Sequence, residues 1–479
     1  MQSWAAEELK YTNLPDKRLN QRLIKIVEQA SAQPEASVPQ ASGDWANTKA
    51  TYYFWNSERF SSEDIIDGHR RSTAQRASQE DVILAIQDTS DFNFTHHKGK
   101  TWDKGFGQTC SQKYVRGLKV HSTLAVSSQG VPLGILDLQI WTREPNKKRK
   151  KKKSKGSTSL FNKESKRWLR GLVDAELAIP STNKIVTIAD REGDMYELFA
   201  LERQPNSELL IRANHNRRVN HEMKYLRESI SQAPEAGTLK VSVPKKDGQP
   251  LREATLSIRY GMLTISAPNN LSQGNNRSPI TLNVISAVEE NFAEGVKPIN
   301  WLLLTTKEVD NFEDAVSCIR WYTYRWLIER YHYVLKSGCG VEKLQLETAQ
   351  RIKKALATYA LVAWRLLWLT YHGRENPQLK SDTVLEQHEW QSLYCHFHCT
   401  SIAPAQPPSL KQAMVWIAKL GGFLGRKNDG EPGVKSLWRG LKRLHDIAST
   451  WKLAHSSTSA HIMVFCQRGS SDIIEKGDS

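Results

Sequence analysis

This chain is short of the features that would send it into a membrane or out of the cell. Six cysteines among 479 residues are too few for a disulfide framework, so a reducing compartment is expected. The opening stretch, MQSWAAEELKYTNLPDKR, holds no apolar core that could serve as a signal peptide. Long apolar runs are missing too. The nearest, ALATYALVAWRLLWLTY, is interrupted by Arg365 and falls short of about 20 residues, which fits a buried helix better than a membrane span. No internal repeat is visible. Acidic residues are outnumbered: 51 Asp and Glu face 67 Lys and Arg, a net charge of +16. That excess favours a polyanionic partner, nucleic acid first. The expectation is a soluble, cytoplasmic protein divided into two or three domains.

What is present falls into three regions. Residues 1–75 read as helical. Pro15-Asp16 signals a helix start, and from Lys17 to Ala30 the periodicity puts Arg18, Arg22 and Lys25 on one face and Leu19, Leu23, Ile26 and Ala30 on another. Such a basic face suits either a phosphate backbone or plain solvent. Trp45, Lys49, Tyr52, Tyr53 and Trp55 follow, bases interleaved with aromatics, as on nucleic-acid surfaces. Residues 76–372 open with strand signals: the apolar run 81–86 before Asp88, then 119–128 and 131–144 split by Gln129-Gly130 as a hairpin. A basic low-complexity loop, NKKRKKKKSKGS (146–157), reads as solvated and phosphate-attracting without sequence selectivity. After a helix, residues 183–202 read as a buried strand turning into a helix, and a β-rich insertion spans about 205–308. Residues 373–479 alternate helices with polar or proline-rich loops. Within them CHFHC (395–399) gathers Cys395, His396, His398 and Cys399. Zinc sites usually draw on two separated pairs, so these read as ordinary residues.

Two aspartates occupy comparable places. Asp88 follows VILAI and Asp190 follows IVTIA, each just past an apolar strand. Singly, each reads as well as a turn or cap residue, and Asp194 competes with Asp190 for the cap. A third acid stands in WYTYRWLIERYHYVLK (321–336), where six aromatics and several bases surround a lone Glu329. Read as one helix, the run puts Tyr322, Arg325, Glu329 and Lys336 on one face, within roughly 60° of each other. Leu327, Ile328, Tyr331, Val334 and Leu335 take the opposite, buried face. Three carboxylates from two strands and a late helix describe a ribonuclease-H-like site for two-metal phosphodiester chemistry.

The spacing Tyr-x2-Arg-x3-Glu-x6-Lys resembles the signature of bacterial cut-and-paste DDE transposases of the insertion-sequence-four family, transposon-five type. AIQDTS, ADREGDMYE, PINWLLLTT and KLGGFLGRKNDG extend the likeness over most of the chain. The resemblance implies an α/β fold: a ribonuclease-H-like mixed-sheet catalytic core with a β-rich insertion, flanked by an N-terminal helical end-binding domain and a C-terminal helical dimerisation domain. It implies that Asp88, Asp190 and Glu329 are catalytic and hold two Mg²⁺ ions, with Mn²⁺ able to substitute. Tyr322, Arg325 and Lys336 would contact phosphates at the transposon end, and Arg212 matches a basic residue near the active site. Trp301 matches the tryptophan that stacks on a flipped base, although NWLLLTT also reads as a buried strand. One departure is Tyr333, where relatives commonly carry a lysine. The implied activity cleaves element ends through a hairpin and joins the 3′-OH to target DNA, with a homodimer on paired ends and double-stranded DNA as partner. Two rivals remain at this point: a DNA-binding but inactive inhibitor, and a ribonuclease-H-like nuclease without strand transfer.

Overall fold

The computed structural model describes residues 3–97, 99, 102–109, 114–143, 164–243, 252–268, 278–427 and 429–468, with side chains to 455. The basic loop at 146–157 lies outside the described residues. The chain opens with α1 (Trp4–Glu8), α2 (Lys17–Ala32), α3 (Val38–Ser42), α4 (Trp45–Asn56) and α5 (Ser62–Ala77). Caps fix their starts. Asp16 accepts from the Arg18 amide at 2.9 Å, and Ser61 and Asp64 form a reciprocal capping box.

A mixed sheet follows. Its strands are β1 (Val82–Asn93), β2 (Gly107–Gln108), β3 (Arg116–Ser127), β4 (Pro132–Trp141), β5 (Lys184–Ala189), β6 (Ser207–Arg212), β7 (Gly237–Val243), β8 (Arg252–Ile265), β9 (Ile280–Glu290) and β10 (Asn300–Thr305). Helices α6 (Lys166–Ala178), α7 (Tyr196–Ala200) and α8 (Leu226–Ser231) interrupt them. The spatial order is β2-β3-β1-β5-β6-β10-β9-β8-β7, with β4 also on β3. β1 runs antiparallel to β3 and parallel to β5, and β5 runs parallel to β6. The β-rich stretch is not a separate unit, because β10 pairs antiparallel with β6 and carries β9, β8 and β7 onward as one continuous sheet.

Alternation along β1 and β5 sorts the two faces. Ile83, Ala85 and Ile185 pack with Ala175 of α6, whereas Leu84, Ile86, Val186 and Ile188 face the larger core. That core is built around α11 (Ala349–Glu375), which is buried along most of its length and packs on α5, α2 and β4. Its Trp364 donates to the Pro132 carbonyl at 3.0 Å. Arg365, the charge that interrupts the apolar run, lies between the rings of Trp4 and Trp368, and burial pushes its guanidinium down to about 10. Among the described residues no helix is long and apolar enough to cross a membrane.

Between sheet and α11 come α9 (Phe312–Thr323) and α10 (Trp326–Tyr333). The run 321–336 is therefore not the single α-helix its periodicity suggests. At the joint, Tyr324, Arg325, Leu327 and Ile328 each donate three residues back, tightening the winding. Beyond Tyr333 the winding loosens into a π turn over Val334–Gly338. The chain ends in α12 (Gln387–His398), α13 (Leu410–Leu420) and α14 (Val434–Arg468). Gly421 lets α13 and α14 touch, since a Cβ there would stand 1.8 Å from the Ser436 carbonyl.

Candidate active site

Asp88 is not past the end of its strand. β1 continues five residues beyond it, to Asn93, with Asp88 opposite Ser122 of β3. β1 stays buried through Gln87, is half-buried from Asp88 to Asp91 and is buried again at Phe92, and polar residues can pair through a ladder as well as apolar ones. Asp190 does end its strand, and it caps the following turn by accepting from the Glu192 amide at 2.9 Å. Asp194, the competitor, is fully enclosed: it accepts from the amides of Asn214 and His215 at 2.6 and 2.9 Å and meets Arg217 at 2.5 Å. It fastens a loop.

Register brings the two aspartates together. Ile86 pairs with Ile188 across the parallel β1–β5 ladder, and each aspartate stands two residues further on. Asp88 is still on β1 and Asp190 stands just past the end of β5, close enough for their charges to interact, and alternation turns both toward the face of α10 and α11. Burial raises the Asp190 carboxyl above its ordinary value, and the nearby Asp88 charge adds to the rise against the Glu192 amide. Arg325 enters from the joint before α10. Its Nη2 lies 2.5 Å from Glu329 Oε1, and it also attracts both aspartates. Burial opposes its charge, but Tyr322, Glu329 and Asp88 outweigh that and hold the guanidinium above its usual range.

The phosphate-contacting set divides. Tyr322 is only 3% exposed, and its phenol is raised by burial, so it does not share an open face with Glu329. It meets half-buried Trp301 of β10 edge to face at 5.3 Å, with Arg212 beside it donating to the Asn300 carbonyl at 3.0 Å. Lys336, in the π turn, lies over the Phe92 ring at 5.0 Å. Burial lowers its ammonium, against the pull of Glu342, Asp91 and Asp88. Tyr333 turns away from this group to the Trp438 ring on α14, 5.6 Å away. The expected buried face holds: Leu327, Ile328, Tyr331, Val334 and Leu335 are all enclosed.

Three carboxylates and one guanidinium leave the group short of positive charge, and every donor is an oxygen, which suits a hard divalent cation. Among the described residues no three Asp, Glu, His or Cys groups converge closely enough to hold an ion, and Glu329 meets Arg325 instead. The donor set fits the cation; ligation by Glu329 requires it to leave Arg325.

On the N-terminal helices Arg18 and Lys25 are exposed, and Arg22 donates to Asn47 at 3.1 Å, joining α2 to α4. Trp45 is 76% exposed and Tyr53 63%, with Lys49 over the Tyr53 ring at 5.6 Å. These three recur every four residues along one side of α4. Trp55 does not belong to this surface. It is buried and donates to Thr358 of α11 at 3.1 Å. His332, unmarked by sequence reasoning, is enclosed on α10 beside Asp88; its three-residue spacing from Glu329 was the available signal.

Residues 1–60 match the family described as Transposase DNA-binding. Residues 361–460 match the Transposase Tn5 dimerisation domain. Together these matches support a transposase of the Tn5 type. They assign DNA binding to the region of the exposed Trp45–Lys49–Tyr53 stripe, and homodimer formation to the helices from α11 to α14. The aspartate pair lies between the two matched regions.

Proposed function

We propose that the chain is a cut-and-paste DDE transposase with a ribonuclease-H-like core. The observation that carries this is the pair Asp88, on β1, and Asp190, just past the end of the parallel neighbour β5, facing the helix of Glu329 in a chain with stretches near both ends that resemble transposase domains. The order β4-β3-β1-β5-β6, antiparallel through β1 and parallel after it, supports the core assignment. Asp88, Asp190 and Glu329 would hold two Mg²⁺ ions, or Mn²⁺ in their place. Bound there, the metals supply Lewis acidity for in-line phosphodiester displacement, by water in cleavage and by a 3′-OH in hairpin formation and strand transfer.

The chain's own residues orient the DNA. Arg325 and Lys336 neutralise phosphates at the element end, and a phosphate on Arg325 frees Glu329 for the metal. Tyr322 and Trp301 form an aromatic wall, open on the Trp301 side, against which an extruded base stacks, with Arg212 at its edge. Arg18, Arg22, Lys25, Trp45 and Lys49 read terminal inverted repeats. A homodimer holds two ends together before both join target DNA. The DNA-associated protein works in the bacterial cytoplasm.

The test is incubation with element-end DNA and Mg²⁺, resolving nicked, hairpinned and joined products. Wild type should give all three, and Asp88→Ala should give none while still shifting end DNA. Cleavage that persists in Asp88→Ala sinks the assignment. Binding without Mg²⁺-dependent cleavage by wild type favours the inhibitor instead.

A further inference from the structure

His332 has no part in that scheme, yet its ring lies between the elements that carry two of the three carboxylates. It follows Glu329 by three residues on α10, so both side chains leave the helix on the same side. Its Nε2 lies 3.1 Å from Ser122 Oγ, and its Nδ1 lies 3.7 Å from Asp88 Oδ2. Ser122 and Asp88 are themselves partners across the β1–β3 ladder. One rigid ring therefore spans a cross-strand pair, with one nitrogen toward each member. The ring is only 4% exposed and Ser122 is wholly enclosed, so neither can turn to solvent for another partner.

We infer that His332 is a positioning residue for the metal site: it holds Asp88 in place on the sheet and sets the distance from β1 to the helix of Glu329. This rests on the reading of Asp88 and Glu329 as metal ligands. The physical argument is that a carboxylate ligates well when its torsion is already restricted, because restriction removes an ordering penalty from binding. Asp88 sits mid-strand, where its backbone is fixed by the ladder but its side-chain torsions are not. Asp190 is held differently, by the Glu192 amide, and Glu329 by Arg325. Arg325 holds Glu329 in a position that it must leave to ligate, whereas the neighbour of Asp88 is the enclosed His332 ring, in contact at 3.7 Å. Replacing the ring with an aliphatic side chain would release Asp88 and leave the enclosed Ser122 hydroxyl without this neighbour.

The experiment measures Mn²⁺ affinity by electron paramagnetic resonance on the full chain, first without DNA and then with an element-end duplex. His332→Leu should weaken Mn²⁺ binding by about 10- to 100-fold, the usual cost of removing a ligand's supporting partner. His332→Gln, whose amide keeps a polar group between Ser122 and Asp88, should recover most of that loss. Thermal unfolding and end-DNA binding in EDTA should stay close to wild type for His332→Gln. Ser122→Ala, which removes the ring's other anchor without emptying the helix interface, should weaken Mn²⁺ by a few-fold and keeps the test decisive if His332→Leu misfolds. The inference is overturned if His332→Leu or Ser122→Ala binds Mn²⁺ as wild type does. It is equally overturned if His332→Gln and His332→Leu lose affinity together with thermal stability, the mark of packing alone. Should wild type bind no Mn²⁺ in either condition, the metal reading fails and this inference with it.

Discussion

Asp137 shows how the sheet tolerates an acid with no catalytic reason to be there. It lies on β4, 1% exposed, with one oxygen accepting from Gln139 at 2.6 Å and the other without a partner among the described residues. Burial, reinforced by Asp174, raises its carboxyl to about 6. A carboxyl whose folded value is raised favours the fold while protonated, and that contribution is lost as pH rises through about 4 to 6. Asp137→Asn should therefore stabilise the protein at pH 7 by on the order of 2–3 kcal/mol, from roughly two pKa units at about 1.4 kcal/mol each. Urea unfolding midpoints at pH 7 and pH 4 measure this: the gain should be clear at the first and absent at the second.

At the scale of elements, the segment from α9 to the π turn shows what a sequence gives up readily and what it withholds. The buried stripe from Leu327 to Leu335 was legible because apolar spacing reports which side of a helix meets the core. The breaks were not legible, because the tightened joint at Tyr324–Arg325 and the widened turn at Val334–Gly338 are set by packing against the sheet and α14. No glycine or proline marks either start. Asp88 stands out in the sequence as an acid after an apolar run, but nothing there marks its place inside β1: β-strands admit polar residues where a partner strand supplies the ladder. Tyr333 departs from the pattern the sequence resembles, and its ring contact is with Trp438, on a helix about a hundred residues later and beyond any local pattern. Tyr333→Lys should raise end-DNA affinity at low salt and steepen the slope of log K against log salt by about 1, as one added phosphate contact would. An unchanged slope in a filter-binding salt series would mean the lysine does not reach DNA.

Across the whole molecule, the N-terminal helices are fastened to the mixed sheet by charge. Glu8 of α1 meets His69 at 2.6 Å and Arg76 at 2.7 and 2.9 Å, and His69 accepts from the Ile135 amide of β4 at 2.9 Å. Burial pushes the Glu8 carboxyl up, but His69 and Arg76 outweigh it and hold it below the ordinary value. Its contribution is then full above that value and fades as pH falls through the depressed one. Glu8→Ala should cost about 3–5 kcal/mol at neutral pH, since it strands Arg76 and an enclosed imidazole. Chemical denaturation at neutral and acid pH should show the deficit shrinking on acidification.

A second fastening lies at Trp438. Its indole donates to Glu35 at 2.5 Å, touches Tyr333 and covers Gly338, where a Cβ would come within 2.9 Å of the ring. The stretch matching a DNA-binding module, the helix of Glu329 and the stretch matching a dimerisation module therefore share one side chain. Such modules can be exchanged between relatives only as matched sets. A chimera that imports foreign end recognition by replacing residues 1–60 must also import a partner for this indole, or it alters the helix of Glu329 along with the sequence it reads.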